Sequence, residues 1–347
     1  MADKLQVFNC KEDFALESGH ILHGFHLSYT THGRLNAGKN NVVWIFHALT
    51  ANSNASEWWP GLVGQHQLFN PAEHFIICVN MPGSCYGSTG PLDINPENGQ
   101  PFYHDFPFFT TRDMVRSFQY LRQHLGIEKI LIGIGGSMGG QQCVEWAIEE
   151  PDLFEYIIPM ATNAFHSPWG IAFNASQRMS IEADGTWTQK AGDAGLQGMK
   201  VARSMALISY RNYITYEAKQ SEDLNGKIEN FKPESYQRYQ GEKLSRRFNA
   251  FSYYFLSKSM DAHHVGRGRG GAEAALSQIK AKTLAIGIST DILFPVNEQE
   301  FLAQHIPGAT FIQIDSLYGH DGFLLEYGQI HKIINRFLEK NNAASMH

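Results

Sequence analysis

Ser137 lies in Gly135-Gly136-Ser137-Met138-Gly139, a G-x-S-x-G pentapeptide, and the chemistry such a serine can do is nucleophilic. A hydroxyl at the tip of a sharp turn is open to substrate, and the flanking glycines let neighbouring backbone pass closely. A serine is a weak nucleophile near neutral pH and needs a base, itself oriented by an acid. Where such residues serve a strand–turn–helix elbow, the partners follow in the order serine, acid, histidine. Asp291 and His320 fit that order, each just beyond an apolar run. Asp315 and Asp321 are rival acids. Asp321 adjoins His320 in sequence, which is poor geometry for orienting an imidazole, and Asp315 stays open as an alternative. Backbone N–H groups of Met138, after the nucleophile, and of Leu49, in His47-Ala48-Leu49-Thr50, are the candidate oxyanion donors.

These residues must be held by strands and helices, and the apolar pattern supplies them. Val42–Phe46, Phe75–Val79 and Ile130–Ile134 are short apolar runs that predict strands buried on both faces. Thr283–Ile288 and Phe311–Ile314 predict two more, ending at Asp291 and shortly before His320. Residues 5–35 alternate in short patches and predict an antiparallel hairpin at a sheet edge. Gly83–Phe109 is a long loop whose aromatic content predicts order. Thr110 is a candidate N-cap for a helix with Met114, Phe118, Leu121 and Leu125 on one face, closed by Gly126. A last amphipathic helix carries Ile330, Ile333, Ile334 and Phe337.

Strand and helix alternate, which predicts an α/β class fold: a mostly parallel central sheet of α/β-hydrolase type with a helical insertion as cap, or lid. Residues 1–165 and 275–347 would form the core domain, and 166–274 the cap. Within the cap, Leu244, Phe248, Phe251 and Phe255 make a stripe that suits either internal packing or a dimer interface. His263–Gly271 is a breaker-rich loop. Its Arg267 and Arg269 suit either a solvated, flexible loop or contact with phosphates at a tunnel mouth.

Composition narrows the classes further. The chain has 347 residues, 43% hydrophobic, with a net charge of −6, enough for a large core and nothing that favours a nucleic acid. Cys10, Cys78, Cys85 and Cys143 are scattered without C-x-x-C spacing, so no disulfide framework is expected. Met1–Asp13 is polar and mixed in charge, unlike a signal peptide, and no apolar run is long enough to span a membrane. A soluble cytoplasmic protein is the expectation. No metal is expected: His263 and His264 are adjacent, and H-E-x-x-H is absent.

The motifs together carry a family resemblance over roughly residues 15–340. They are His47-Ala48-Leu49-Thr50 with Trp58-Trp59, Asn80 and Gly83 through Pro91, Arg112–Val115, Gly135–Gly140, Asp291–Pro295, and Tyr318–Asp321 with Phe323-Leu324. The sequence resembles the homoserine O-acetyltransferases of methionine biosynthesis, a branch of the α/β-hydrolase fold. The resemblance implies acetyl transfer in two half-reactions. Ser137 takes the acetyl group from acetyl-CoA, and the homoserine hydroxyl then takes it from Ser137, with His320 as base and Asp291 as acid. It implies that Arg203 and Tyr210, seven apart on a cap helix, bind the amino-acid acceptor, with Arg211 a rival, and that Asp321 binds its amine. It also implies a homodimer through the cap helices and no cofactor beyond the acetyl-CoA substrate. Met81-Pro82-Gly83-Ser84 departs from the family's usual loop, and the cap is somewhat short. Both bear on acyl-donor choice or oligomer geometry, and the family includes members with succinyl donors or serine acceptors. An esterase on the same machinery is the other alternative.

Overall fold

The structure, a computed structural model, describes residues 4–344. The first three residues of Met1–Asp13, the stretch read against a signal peptide, lie outside the described residues, as do 345–347. β1 (Gln6–Ala15) and β2 (Ile21–His32) form the expected edge hairpin, antiparallel to each other. β3 (Val42–Phe46) and β4 (Phe75–Val79) have the boundaries the apolar runs predict. β5 (Ile130–Gly136), β7 (Lys282–Ile288) and β8 (Thr310–Ile314) extend theirs by one or two residues. β6 (Phe154–Met160) is a strand the apolar pattern does not single out, because Glu155 and Pro159 interrupt it.

These eight strands make one sheet in the order β1-β2-β4-β3-β5-β6-β7-β8, parallel from β4 to β8. The chain runs from β3 to β4 on one side and returns to β5 on the other. Open α/β sheets bind ligands at such a switch point, at the carboxyl ends of the strands. Here those ends lead to Leu49 and Ser137.

Alternate residues of β3 enter two cores. Trp44 and Phe46 pack with Phe118 and Trp146 on one face, the Trp44 and Trp146 rings 4.8 Å apart and near perpendicular. Val43 and Ile45 join Ile330, Ile334 and Phe337 on the other. Burying such side chains supplies about 1.5–3 kcal/mol each, which makes this strand end a firm platform.

A short helix, α1 (Ala55–Trp58), follows β3. α2 (Thr111–His124) begins as expected: the Thr110 side chain accepts from Asp113 N–H at 3.2 Å, and the Asp113 carboxylate accepts from Thr110 N–H at 2.9 Å. The preceding loop is ordered, with Phe102, Phe106 and Phe109 buried. α3 (Met138–Glu149) carries the elbow.

Between β6 and β7 lie α4 (Pro168–Glu182), α5 (Leu196–Tyr210), α6 (Tyr213–Gln220), α7 (Lys232–Ser245), α8 (Ala250–Asp261) and the short α9 (Ala272–Leu276). The apolar stripe spans two of these. Leu244 is on α7, and Phe251 and Phe255 are on α8, which starts at the N-cap Asn249. All four stripe residues are buried within the chain, so they serve internal packing. α10 (Val296–His305), the short α11 (Gly322–Leu325) and α12 (Tyr327–Ala344) complete the molecule. Among the described residues no helix is long and apolar enough to cross a membrane.

Candidate active site

The turn from β5 to α3 is strained at its centre. Ser137 has φ +57° and ψ −129°, a conformation that non-glycine residues rarely hold. Close approach makes the glycines obligatory. A Cβ on Gly139 would lie 2.1 Å from the Phe46 carbonyl oxygen, and one on Gly135 2.6 Å from the Gly139 backbone. Hydrogen bonds pin the serine itself: its N–H donates to Met160 O at 3.0 Å, and Thr162 Oγ1 donates to its carbonyl at 2.8 Å. The Met138 N–H is the first of α3 and has no acceptor within the helix.

Asp291 and His320 meet at the ends of β7 and β8. His320 Nδ1 lies 2.7 Å from Asp291 Oδ2, and both residues are buried. The other carboxylate oxygen accepts N–H groups of Leu293 at 2.8 Å and Phe294 at 2.9 Å, so the acid is fixed by its own turn. The imidazole stacks on Phe294, with centroids 5.0 Å apart, and meets the edge of Phe323 at 5.4 Å. Burial acts to lower the His320 pKa. The charge and hydrogen bond of Asp291, with lesser help from Asp321 and Glu298, outweigh it, and the net shift is upward. Asp315 is exposed at the surface, and the open choice of acid resolves to Asp291 as the carboxylate that touches His320.

The strand-end turn beside Ser137 is held by His47. Its Nε2 accepts the Met81 N–H at 3.2 Å, which leaves the proton on Nδ1 to donate to the Ala48 carbonyl at 2.9 Å. Burial pulls its pKa down to about 4, so the ring is a neutral strut. Arg247, between α7 and α8, donates to the Thr50 carbonyl at 2.6 Å and also to the Tyr86 hydroxyl. Leu49 thus sits in a loop braced on both sides.

Ser137, His320, Leu49, Arg203, Tyr210 and Asp321 line one cavity of about 530 Å³. Arg203 and Tyr210 come from α5, whose end therefore closes over the sheet edge. The Arg203 guanidinium lies over the Tyr210 ring, 5.3 Å from its centroid, and that ring is 5.7 Å from the ring of His320. Burial raises the Tyr210 pKa, so the phenol keeps its proton. The rival, Arg211, is instead paired with Asp321 at 3.1 Å and does not line this cavity. Trp59, beneath the cavity, donates to the Phe323 carbonyl at 2.9 Å and fixes the segment after His320.

Arg267 and Arg269 lie away from the cavity, so a contact with phosphates at its mouth is not where they serve, and the loop that carries them is largely exposed. Arg269 pairs with Glu145 at 2.6 Å and with Glu149, and Arg267 pairs with Glu17 at 2.9 Å. Ion pairs tie the loop to α3 and to the turn after β1.

Glu298 was not singled out by sequence. It sits in the first turn of α10, where an acid is ordinary, and accepts from Asn163 Nδ2 at 3.0 Å. Burial, with a contribution from nearby Asp291, raises its pKa to about 7. Among the described residues no group of three or more His, Cys, Asp or Glu side chains is placed to hold a metal. Burial raises the pKa values of the Cys78, Cys85 and Cys143 thiols, so all three favour the protonated, unreactive form.

Comparison with known proteins bears on the fold and the family. Residues 41–327 match the family model described as the alpha/beta hydrolase fold. A homoserine O-acetyltransferase of Cyclobacterium marinum is 50% identical over 97% of this chain and 96% of its own length. Among solved structures, a homoserine O-acetyltransferase from Bacillus anthracis superposes with a TM-score of 0.89 at 24% identity, covering 97% of this chain and 98% of that one. Esterase E22 superposes with a TM-score of 0.87 at 23% identity, covering 97% and 100%. At such identities the two structures speak to the fold. The full-length sequence relationship goes further, and with it the chain belongs to the homoserine O-acetyltransferase family of the α/β-hydrolase fold.

Proposed function

We propose that this chain moves an acetyl group from acetyl-CoA to the side-chain hydroxyl of L-homoserine, giving O-acetyl-L-homoserine for methionine biosynthesis. The observation that carries the reading is a full-length relative at 50% identity that bears this activity as its name. A cavity that joins a serine and a carboxylate-bound histidine to an arginine and an aspartate supports it.

In the first half-reaction His320 Nε2 takes the Ser137 proton as Oγ attacks the thioester carbon. The oxyanion that forms accepts from the N–H groups of Leu49 and Met138. The tetrahedral adduct collapses, the C–S bond breaks, and the CoA sulfur leaves with the proton from His320. In the second, the homoserine hydroxyl gives its proton to His320 and attacks acetyl-Ser137. Collapse returns the proton to Ser137 Oγ. Arg203 takes the acceptor carboxylate, Asp321 its ammonium, and Tyr210 lies between Arg203 and the histidine. Arg211 holds Asp321 in place and shares it with the amine. No resident cofactor takes part.

The 166–274 stretch serves as a cap over the site. The working unit is a homodimer through cap helices, supported by the exposed apolar side chains Val201 and Ile208 on α5 and Tyr213 and Ile214 on α6. Four free thiols suit the cytoplasm.

Hydrolysis is the second reading, favoured by the fold likeness to esterase E22. A panel of acetyl- and succinyl-CoA against homoserine, serine and water separates the possibilities. Acetyl-CoA with homoserine is expected to give the highest kcat/KM, and faster release of acetate to water than to homoserine would overturn the proposal. Light scattering that finds a monomer at working concentration would remove the dimer.

A further inference from the structure

The cavity runs from the buried Ser137 and His320 out to the exposed side chains of Lys243 on α7 and Arg247 beyond its end. The two cations differ in what they already hold. Arg247 is committed to the Thr50 carbonyl and the Tyr86 hydroxyl. Lys243 makes no hydrogen bond or ion pair among the described residues. Its neighbour Glu242 is taken by Lys200 at 2.7 Å, so that carboxylate does not neutralise it. Of the two acids in the cavity lining, Asp321 is paired with Arg211, and Glu57 is exposed.

An acyl donor that reaches Ser137 with its thioester, and carries phosphates at its far end, must leave those phosphates at the mouth. A phosphate is too strongly hydrated to follow the acyl group in beside His320. The chain has a net charge of −6, so a polyanionic donor meets repulsion except where cations gather. A lysine ammonium is a compact charge on a flexible stem and accepts a phosphate without fixed geometry.

We propose that Lys243 is the contact for the phosphates of the acyl donor, with Arg247 as the fixed cation behind it. The proposal rests on the acyl-CoA reading of the site and adds where the donor's charged end lies.

The test uses the full chain and two acetyl donors: acetyl-CoA, and the acetyl thioester of N-acetylcysteamine, which has the same reacting end and no phosphate. Lys243→Ala is expected to raise the ratio of KM for acetyl-CoA to KM for the phosphate-free thioester by about three- to tenfold at low salt. Lys243→Glu is expected to raise it further, and Lys243→Arg to restore most of it. Added salt should raise the wild-type KM for acetyl-CoA more than that of Lys243→Ala. Arg267→Ala, a cation away from the cavity, should leave the ratio at its wild-type value. An unchanged ratio in both Lys243→Ala and Lys243→Glu overturns the proposal while leaving the function intact. A wild-type protein that takes acetyl from neither thioester overturns the function itself, and the proposal with it.

Discussion

Behind the elbow helix, Arg112, Arg116, Arg267 and Arg269 share the carboxylates of Glu17, Glu145 and Glu149. At the cavity, Arg203 lines the wall, and Arg211, outside it, holds the lining carboxylate Asp321. In the first cluster the guanidinium groups bind protein acids and carbonyls, and Glu145 is almost wholly buried. Such a network ties α2, α3, the loop before α9 and the turn after β1 into one block, and it offers nothing to a ligand. In the second, Arg203 lies over the face of Tyr210 and makes no ion pair among the described residues, which leaves its planar fork of N–H donors open to a carboxylate. An arginine is thus read by what already occupies it, and neighbouring glycines, which made Arg267 and Arg269 look available, are a poor guide.

The cavity side of this contrast depends first on Ser137. Ser137→Ala should lower thiol release from acetyl-CoA by about 10³-fold or more, and rapid-quench mass spectrometry should lose the acetyl adduct on its peptide. A near-wild-type rate would end the nucleophile assignment. Asp291→Asn should lower kcat by about 10³- to 10⁴-fold, whereas Asp315→Asn should change it less than about twofold. The pH profile carries a second signature. His320 must be neutral to act as base, and Asp291 holds its pKa above the ordinary value, so the acidic limb of kcat/KM should lie above about 6.5 in wild type. With Asp291 neutralised, burial acts with less opposition and the limb should move to lower pH. A limb that moves in Asp315→Asn instead would reverse the assignment.

The arginines come next. Arg203→Ala should raise the homoserine KM by about 10- to 100-fold while sparing acetyl-enzyme formation. Arg269→Ala should leave that KM alone and lower unfolding stability by about 2–4 kcal/mol in urea, because Glu145 loses a partner while buried. If Arg269→Ala raises KM and Arg203→Ala lowers stability, the contrast is inverted and fails. An effect confined to acid pH belongs to a neutral anchor near the same block. His263 faces Thr111 Oγ1 at 2.8 Å and the Asn163 carbonyl at 3.2 Å, and burial pulls its pKa down to about 3. The unfolded chain binds that proton from about pH 6.5 downward and the folded chain does not, so stability is lost as pH falls between those values. His263→Gln should flatten the fall by about one proton, or about 1.4 kcal/mol per pH unit, in urea midpoints taken across the window.

Much of this was legible because local signals agree with the fold. Apolar runs gave most strands, and Thr110 with Asp113 marked the start of α2. Chain order brought Ser137, Asp291 and His320 to one sheet edge. β6 was hidden because Pro159 and Glu155 break the run, and parallel pairing to β5 and β7 overrides both. The stripe from Leu244 to Phe255 kept helical spacing across a real break at Asn249, so periodicity could not reveal two helices. The choice between Arg203, midway along α5, and Arg211, just past its end, depends on which way each side chain turns, which sequence spacing leaves open. His47 was missed as a neutral strut, and Glu298 as an acid with a raised pKa, because burial, not residue type, sets their titration.

Gly139 has a consequence beyond admitting the elbow. Its Cα faces the Phe46 and His47 carbonyls, with room for no further atom. It therefore acts as a spacer of zero thickness between the helix that begins at Met138 and the strand end that leads to Leu49. Those two N–H groups come from segments more than eighty residues apart, and one missing methyl sets the gauge between them. Widening that gauge by a single carbon would misalign two donors at once while the wall carrying Arg203 and Tyr210 stayed in place. Any side chain at this position would have to push the elbow helix off the strand end.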